Sequence, residues 1–350
     1  MILRVLKYSF VQAKTKALKA GSLSAQDWHY LLSAKNLKEI FRYLLGTPYG
    51  PYLGHLGPET GFQKITLQLY ASLFRDYKRL LKFVPSQGKG LLKALRRRYE
   101  AENLKLIIRG LFRHQKKEIR ELLYPLEEID GLDLKSLLEA PGVIELVERL
   151  KESLFYAPLK EVLPLFQGQG RVFPLERTVD LATYEALVVS LKGLKKGDRH
   201  QAQRLVNHLI DQQNLNTICR LKQVFRLSPE EIIGYLITGA GRLNLKKLGG
   251  LARAQKLKEF LSLLPRGYND LKAARSFSEI FLLMEQIIAR ELIRIGRKDP
   301  FQIGTQGAYL LFKELEIKNL ERLLTAVGWG LTLKKGALPL VAELERISES

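Results

Sequence analysis

Apolar residues recur along this chain with a helical period, and one arrangement of them comes round three times. Each occurrence centres on an acid, two spacers and an Asn-Leu pair: Glu100-Ala-Glu-Asn103-Leu104, Asp211-Gln-Gln-Asn214-Leu215 and Glu316-Ile-Lys-Asn319-Leu320. The Asn-to-Asn spacings are 111 and 105 residues. Eight and four residues before each Asn stand Leu95 and Tyr99, Val206 and Ile210, Leu311 and Leu315. Four and five residues after it stand Ile107 and Ile108, Ile218 and Cys219, Leu323 and Leu324. At about 100° per residue these positions form one stripe with the Asn in its middle, and the acid points about 60° away. The pattern predicts three long helices, each turning an Asn and a carboxylate towards the interior.

A second marker lies upstream of each. Leu23-Ser24, Leu132-Asp133 and Leu243-Asn244 each follow a glycine (Gly21, Gly131, Gly241) by one or two residues. Ser, Asp and Asn are favoured N-caps because their oxygens accept otherwise unpaired first-turn N–H groups. After each cap a helix-like stretch is expected to run to a turn at Tyr49, Tyr156 or Tyr268, each followed within four residues by Leu53, Leu159 or Leu271. Two markers in register define three units, 24–132, 133–243 and 244–350, after a lead-in segment 1–23 containing a helix from Leu3 to Lys19. The fold class expected is all-α.

An internal Asn beside a carboxylate reads as a device that fixes helix register, satisfied by backbone or by Arg and Lys. A cation site built from three such pairs would need further ligands that the sequence does not supply. Other chemistry is equally sparse. His29, His55, His114, His200 and His208 are scattered, and Cys219 stands alone on the flank of the second marker. Gly88-Lys89-Gly90 and Gly239-Ala-Gly241 lack the Gly-x-x-x-x-Gly-Lys-Ser/Thr pattern and read as turns. Catalytic, metal and cofactor residues are therefore expected to be absent.

Charge changes the picture most. A 350-residue chain with 27% charged residues is globular in composition, but its net charge is +21. Such a surplus draws polyanions: nucleic acid, an anionic membrane surface or acidic protein. Basic clusters (Arg96-Arg97-Arg98, Lys195-Lys196, Lys246-Lys247, Lys334-Lys335) are spread through all three units and read as solvated helix faces. Little aromatic residue is interleaved for base stacking, which leaves a nucleic-acid-binding helical repeat as the alternative reading. No apolar run reaches the ~18 residues that a membrane span needs. The basic N-terminus, with no acid before Asp27, has no h-region and cleavage site of a presequence.

Together the markers, with Tyr8 to Ala17, Gly46-Thr-Pro-Tyr49-Gly-Pro-Tyr-Leu53, Tyr99 to Lys105 and Asp299-Pro-Phe301 through Leu320, resemble the C subunit of archaeal and bacterial V/A-type ATPases, known as the d subunit in eukaryotic vacuolar enzymes. The resemblance runs from about residue 4 to 335. It implies a funnel of three similar helical bundles around a pseudo-threefold axis. Such a protein has no cofactor, catalytic residue or small-molecule substrate. It joins central-stalk rotor subunits to the membrane proteolipid ring, peripherally on the cytoplasmic face, with only indirect contact with the membrane surface. On that reading Glu100, Asn103, Leu104, Asp211, Asn214, Leu215, Glu316, Asn319 and Leu320 form a structural signature, and nucleic acid is not a partner. Departures from the family are Lys14 and Lys16, where Arg is usual, an insertion-like Lys192 to Gly197, and the high charge.

Overall fold

Leu, Lys, Glu, Ala and Arg are abundant, and these residues, none branched at Cβ, lose little freedom in a helix. The computed structural model describes residues 2–126, 132–331, 333, 338 and 339, and every regular element among them is helical. Gly131, Lys334 and Lys335 lie outside the described residues. The lead-in helix α1 (Ile2–Lys19) precedes α2 (Ala25–Ser33), α3 (Leu37–Leu45), the single turn α4 (Gly50–Leu53), the long α5 (Phe62–Phe83) and α6 (Ser86–Phe112), and α7 (Lys116–Arg120). Next come α8 (Leu134–Leu138), α9 (Val143–Glu148), α10 (Tyr156–Gln169), α11 (Phe173–Ser190), α12 (Lys196–Arg220) with a π-helical turn Leu221–Phe225, and α13 (Pro229–Gly234). The chain continues through α14 (Leu245–Arg253), α15 (Leu257–Ser262), a 3-10 stretch Arg266–Ala273, α16 (Phe277–Lys298) and α17 (Ile303–Gly328).

The three expected caps are present. Ser24 accepts from Asp27 N in a reciprocal capping box, Asp133 accepts from Ser136 N, and Asn244 accepts from Lys247 N. The stretch after each cap is not one helix, however, but two short ones. Asn36 starts the second helix by accepting from Glu39 N, Pro141-Gly142 interrupts the next copy, and Glu259 takes Gln255 N in the last. A second correction concerns Gly88-Lys89-Gly90, which lies inside α6 and not in a turn. A Cβ at Gly88 would sit 2.8 Å from Ile303 Cδ1, so glycine there lets the start of α17 approach. Of Lys192 to Gly197, the last two residues already belong to α12.

The marker helices α6, α12 and α17 pack most extensively on α11, α16 and α5 respectively, and α17 packs almost as widely on its neighbour α16. Each thus leans on a helix from the stretch that follows, and the last leans back on the first. α1 lies against both α5 and α17. The buried apolar residues fall into two clusters. A large one joins α1 to α5, the first half of α6, the end of α11 and everything after it. A smaller one joins the second half of α6 to α7 through α11.

Candidate functional site

Asn103, Asn214 and Asn319 are each at most 1% exposed, and each holds a piece of irregular backbone further down the chain. Asn103 Nδ2 donates to Tyr124 O at 3.0 Å while its Oδ1 accepts from Tyr124 N at 2.8 Å. Asn214 treats Ile237 the same way, at 2.9 and 2.8 Å. Asn319 donates to Pro339 O at 3.1 Å. Proline has no N–H, and there the free oxygen accepts from Arg322 Nη1 at 3.3 Å. An amide side chain offers one donor edge and one acceptor edge, which matches a peptide group; neither Asp nor Leu does. Buried backbone that would otherwise lack partners is thereby satisfied.

The acids of the second and third markers reach further. Asp211, fully buried, accepts Arg242 N at 2.9 Å, Leu243 N at 3.1 Å and the Tyr268 hydroxyl. Gly241 makes this possible: its φ is +90°, and a Cβ there would lie 2.5 Å from Asp211 Oδ1. Glu316 accepts Leu23 N at 2.8 Å and the Tyr49 hydroxyl at 2.6 Å. In both cases one carboxylate ties a marker helix to the leucine before a cap and to the tyrosine of the same stretch. Burial pushes the Glu316 carboxyl up to about 7 against the Tyr49 and Leu23 hydrogen bonds, and burial likewise raises Asp211.

Glu100 does something else. It pairs on its own helix with Arg96 at 3.2 Å and Arg97 at 3.8 Å, and burial raises its carboxyl against them. Tyr156 is only half-buried, accepts Lys160 Nζ at 2.8 Å and lies 3.4 Å from Glu148. The ring buried at this turn is that of Phe155, which has no hydroxyl to give a carboxylate. The repeat pattern put Tyr156 at this turn, whereas the structure gives the buried position to its neighbour Phe155. The four-residue step from Phe155 to Leu159, equal to that from Tyr49 to Leu53, was the available signal. Leu104, Leu215 and Leu320 are all fully buried on the flanks of their helices.

Further buried charges join the marker helices to one another and to their supports. Arg98 and Glu314, each five residues before its Asn, face each other at 2.5 Å, and Leu209 occupies that position in α12. Burial would raise Glu314, but Arg98 and Lys318 overcome it and hold the carboxyl down at about 2. Asp76 accepts the Tyr309 hydroxyl at 2.7 Å and Lys313 Nζ at 2.6 Å. His208 lies against the Tyr268 ring; burial, with Arg242, Arg204 and Arg294 nearby, lowers it to about 4 and keeps it neutral. Cys219 is buried, which pushes its thiol up to about 12. Among the described residues no three His, Cys, Asp or Glu side chains gather as a metal would require. A cleft of about 590 Å³ opens between α6, α11, the π-helical turn and α16, crossed by Lys105–Asp180 at 2.7 Å and Arg109–Glu176 at 2.5 Å.

Comparison with known proteins bears on what these buried polar ties between successive stretches serve. Residues 11–331 match the family model described as ATP synthase (C/AC39) subunit. The chain belongs to that family. It is 26% identical to the C subunit of the A-type ATP synthase of Halorubrum lacusprofundi, over 92% of this chain and 94% of that protein. The corresponding A-type ATP synthase C subunit of Methanocaldococcus jannaschii is 24% identical, over 93% of this chain and 84% of its own length. That of Archaeoglobus fulgidus is 26% identical, over 92% of both. Membership of the C/AC39 family makes the chain an accessory subunit of a V/A-type rotary ATPase, the assignment its marker segments resembled. No helix among the described residues is long and apolar enough to cross a membrane.

Proposed function

We propose that the chain is the non-catalytic central-stalk subunit that couples the rotating stalk to the membrane proteolipid ring, for ATP-driven ion transport or ATP synthesis. Three units, 24–132, 133–243 and 244–350, form a funnel about a pseudo-threefold axis, with 1–23 as a lead-in that braces the first against the third. The complex holds the chain peripherally on the cytoplasmic face. The observation that carries this reading is the head-to-tail order of packing, in which each marker helix leans on the following stretch and α17 returns to α5.

Torque transfer needs a part that does not shear when its two ends are gripped. A chain of units joined only in line would twist at each link. A closed order of packing shares the load, and Asp211 and Glu316 lock two of its links with hydrogen bonds that only one relative placement satisfies. On this reading the repeated Asn and acid residues belong to the architecture, and non-repeated polar and basic residues make the contacts with stalk and ring.

Affinity capture of the tagged chain from detergent-solubilised membranes tests the role. Recovery together with proteolipid and stalk subunits is the expected result. Recovery with nucleic acid and without those subunits, in a complex whose affinity falls steeply with salt, would overturn it.

A further inference from the structure

The sequence left the net charge of +21 unassigned, and the fold gathers a large share of it at one end. Short turns join α5 to α6 at Val84–Pro85, α11 to α12 at 191–195 and α16 to α17 at 299–302. The helix ends beside these turns are tied to one another and to the first half of α1. Asp198, at the start of α12, accepts both the Tyr8 hydroxyl at 3.0 Å and Ile303 N at 2.8 Å. Gly88 abuts Ile303, and the rings of Phe10 and Phe83 pack edge to face at 4.7 Å.

The segments that build this end are 2–10, 78–93, 188–200 and 294–303, 48 residues in all. They contain 14 Lys and Arg against 2 acids, a surplus of 12, while the other 302 residues carry the remaining 9. Arg79 and Arg294 pair with Asp76 and Glu291, which lie just outside these segments, and the exposed lysines carry the surface charge. Asp198 is buried, and Asp299 is engaged by Phe301 N and Gln302. Lys7, Lys82, Lys192, Lys195 and Lys196 are exposed. Among them stand Leu6 and Phe10, 68% and 61% exposed, and Val189, 57% exposed.

We propose that this end is a membrane-surface contact that takes anionic phospholipid headgroups between its lysines and seats Leu6, Phe10 and Val189 at the boundary with the acyl chains. Exposed apolar side chains set in a cationic field match an interface that is negative at its surface and apolar beneath. They do nothing for a nucleic-acid backbone. Nine of the 14 cations are lysines, point charges suited to mobile headgroups more than to the bidentate grip of a fixed partner. The inference rests on the coupling role only for its orientation: it puts this end towards the bilayer and adds a direct lipid contact beside the ring.

Flotation of the full chain with vesicles tests it, using phosphatidylcholine alone and phosphatidylcholine with about 30 mol% phosphatidylglycerol. Binding to the anionic vesicles and not the neutral ones, weakened but not abolished between about 0.1 and 0.5 M salt, is expected. The exposed triple Lys192→Glu, Lys195→Glu, Lys196→Glu weakens partitioning by at least about tenfold. An equal charge change at exposed Lys117, Lys246 and Lys247 leaves it within about twofold. Leu6→Ser with Phe10→Ser removes the part of the binding that survives raised salt. Equal loss in the two charge triples, equal binding to neutral vesicles, or displacement by duplex DNA that itself binds this end tightly would overturn the proposal. Capture of stalk and ring subunits in detergent, without vesicles, is read separately. Loss of that capture with vesicle binding intact counts against the coupling role and not against this surface.

Discussion

Among the described residues, two of the three markers end in a buried latch and one does not. Asp211 and Glu316 reach across to the backbone of Leu243 and Leu23 and to the hydroxyls of Tyr268 and Tyr49. Glu100 folds back on Arg96 and Arg97. The sequence signature is the same in all three, and what differs is the receiving end, where Phe155 offers no hydroxyl. The hydrophobic packing divides at the same place. The stretches served by the two latches share the large core, whereas α8 to α10 pack with the second half of α6 in the small one. There α6 and α11 are also joined by Lys105–Asp180 and Arg109–Glu176, at the edge of a cleft. A repeated motif thus fixes which groups are available, and the neighbour decides whether they lock.

The largest effect expected from this contrast is at Asp211. In Asp211→Asn an amide N–H₂ must face one of three donors, and the loss is about 2–3 kcal/mol of unfolding free energy, read from the urea midpoint. Next comes the pH dependence of Glu316. Its folded pKa of about 7 lies above the unfolded value of 4.5, so the native state holds more protons between them. The stability it contributes is full at low pH and falls as pH rises through 7. Between about pH 6 and 8 the native protein should lose about 1 kcal/mol relative to Glu316→Gln, whose side chain cannot ionise. A difference between the two proteins that stays flat over that interval would mean that Glu316 does not sit in the dry contact described. The smallest effect is that of Glu100→Gln, below about 1 kcal/mol, because the amide oxygen still accepts from arginine on the same helix. A loss equal to that of Asp211→Asn would erase the contrast.

Much of this fold was legible in advance because its period and caps are local properties. The stripe around each Asn marked α6, α12 and α17, and Ser24, Asp133 and Asn244 marked helix starts by side-chain chemistry alone. The partners of those residues were not legible. Tyr124, Ile237 and Pro339 contribute backbone groups, which almost any residue provides, so no side-chain pattern announces them. Gly88-Lys89-Gly90 misled because glycine breaks helices as a rule, while here the approach of Ile303 requires it inside one. Phe155 was hidden for a similar reason: burial of a ring, not the presence of a hydroxyl, is what the turn demands of it. The convergence of four basic segments at one end depends on tertiary packing and is invisible along the chain.

The proposed division, in which marker residues secure the fold and other residues grip the partners, is open to test by mutation. Asn214→Leu separates them most directly, because the substitution keeps the side chain's approximate size but removes its amide, and so strands both the N–H and the C=O of Ile237. Unfolding free energy and capture of stalk and ring subunits are measured on the same preparation. The expected result is a loss of about 2–4 kcal/mol, with capture by the folded fraction equal to that of the native protein. A variant of native stability that no longer captures those subunits would place Asn214 in the contact itself and contradict that division of roles.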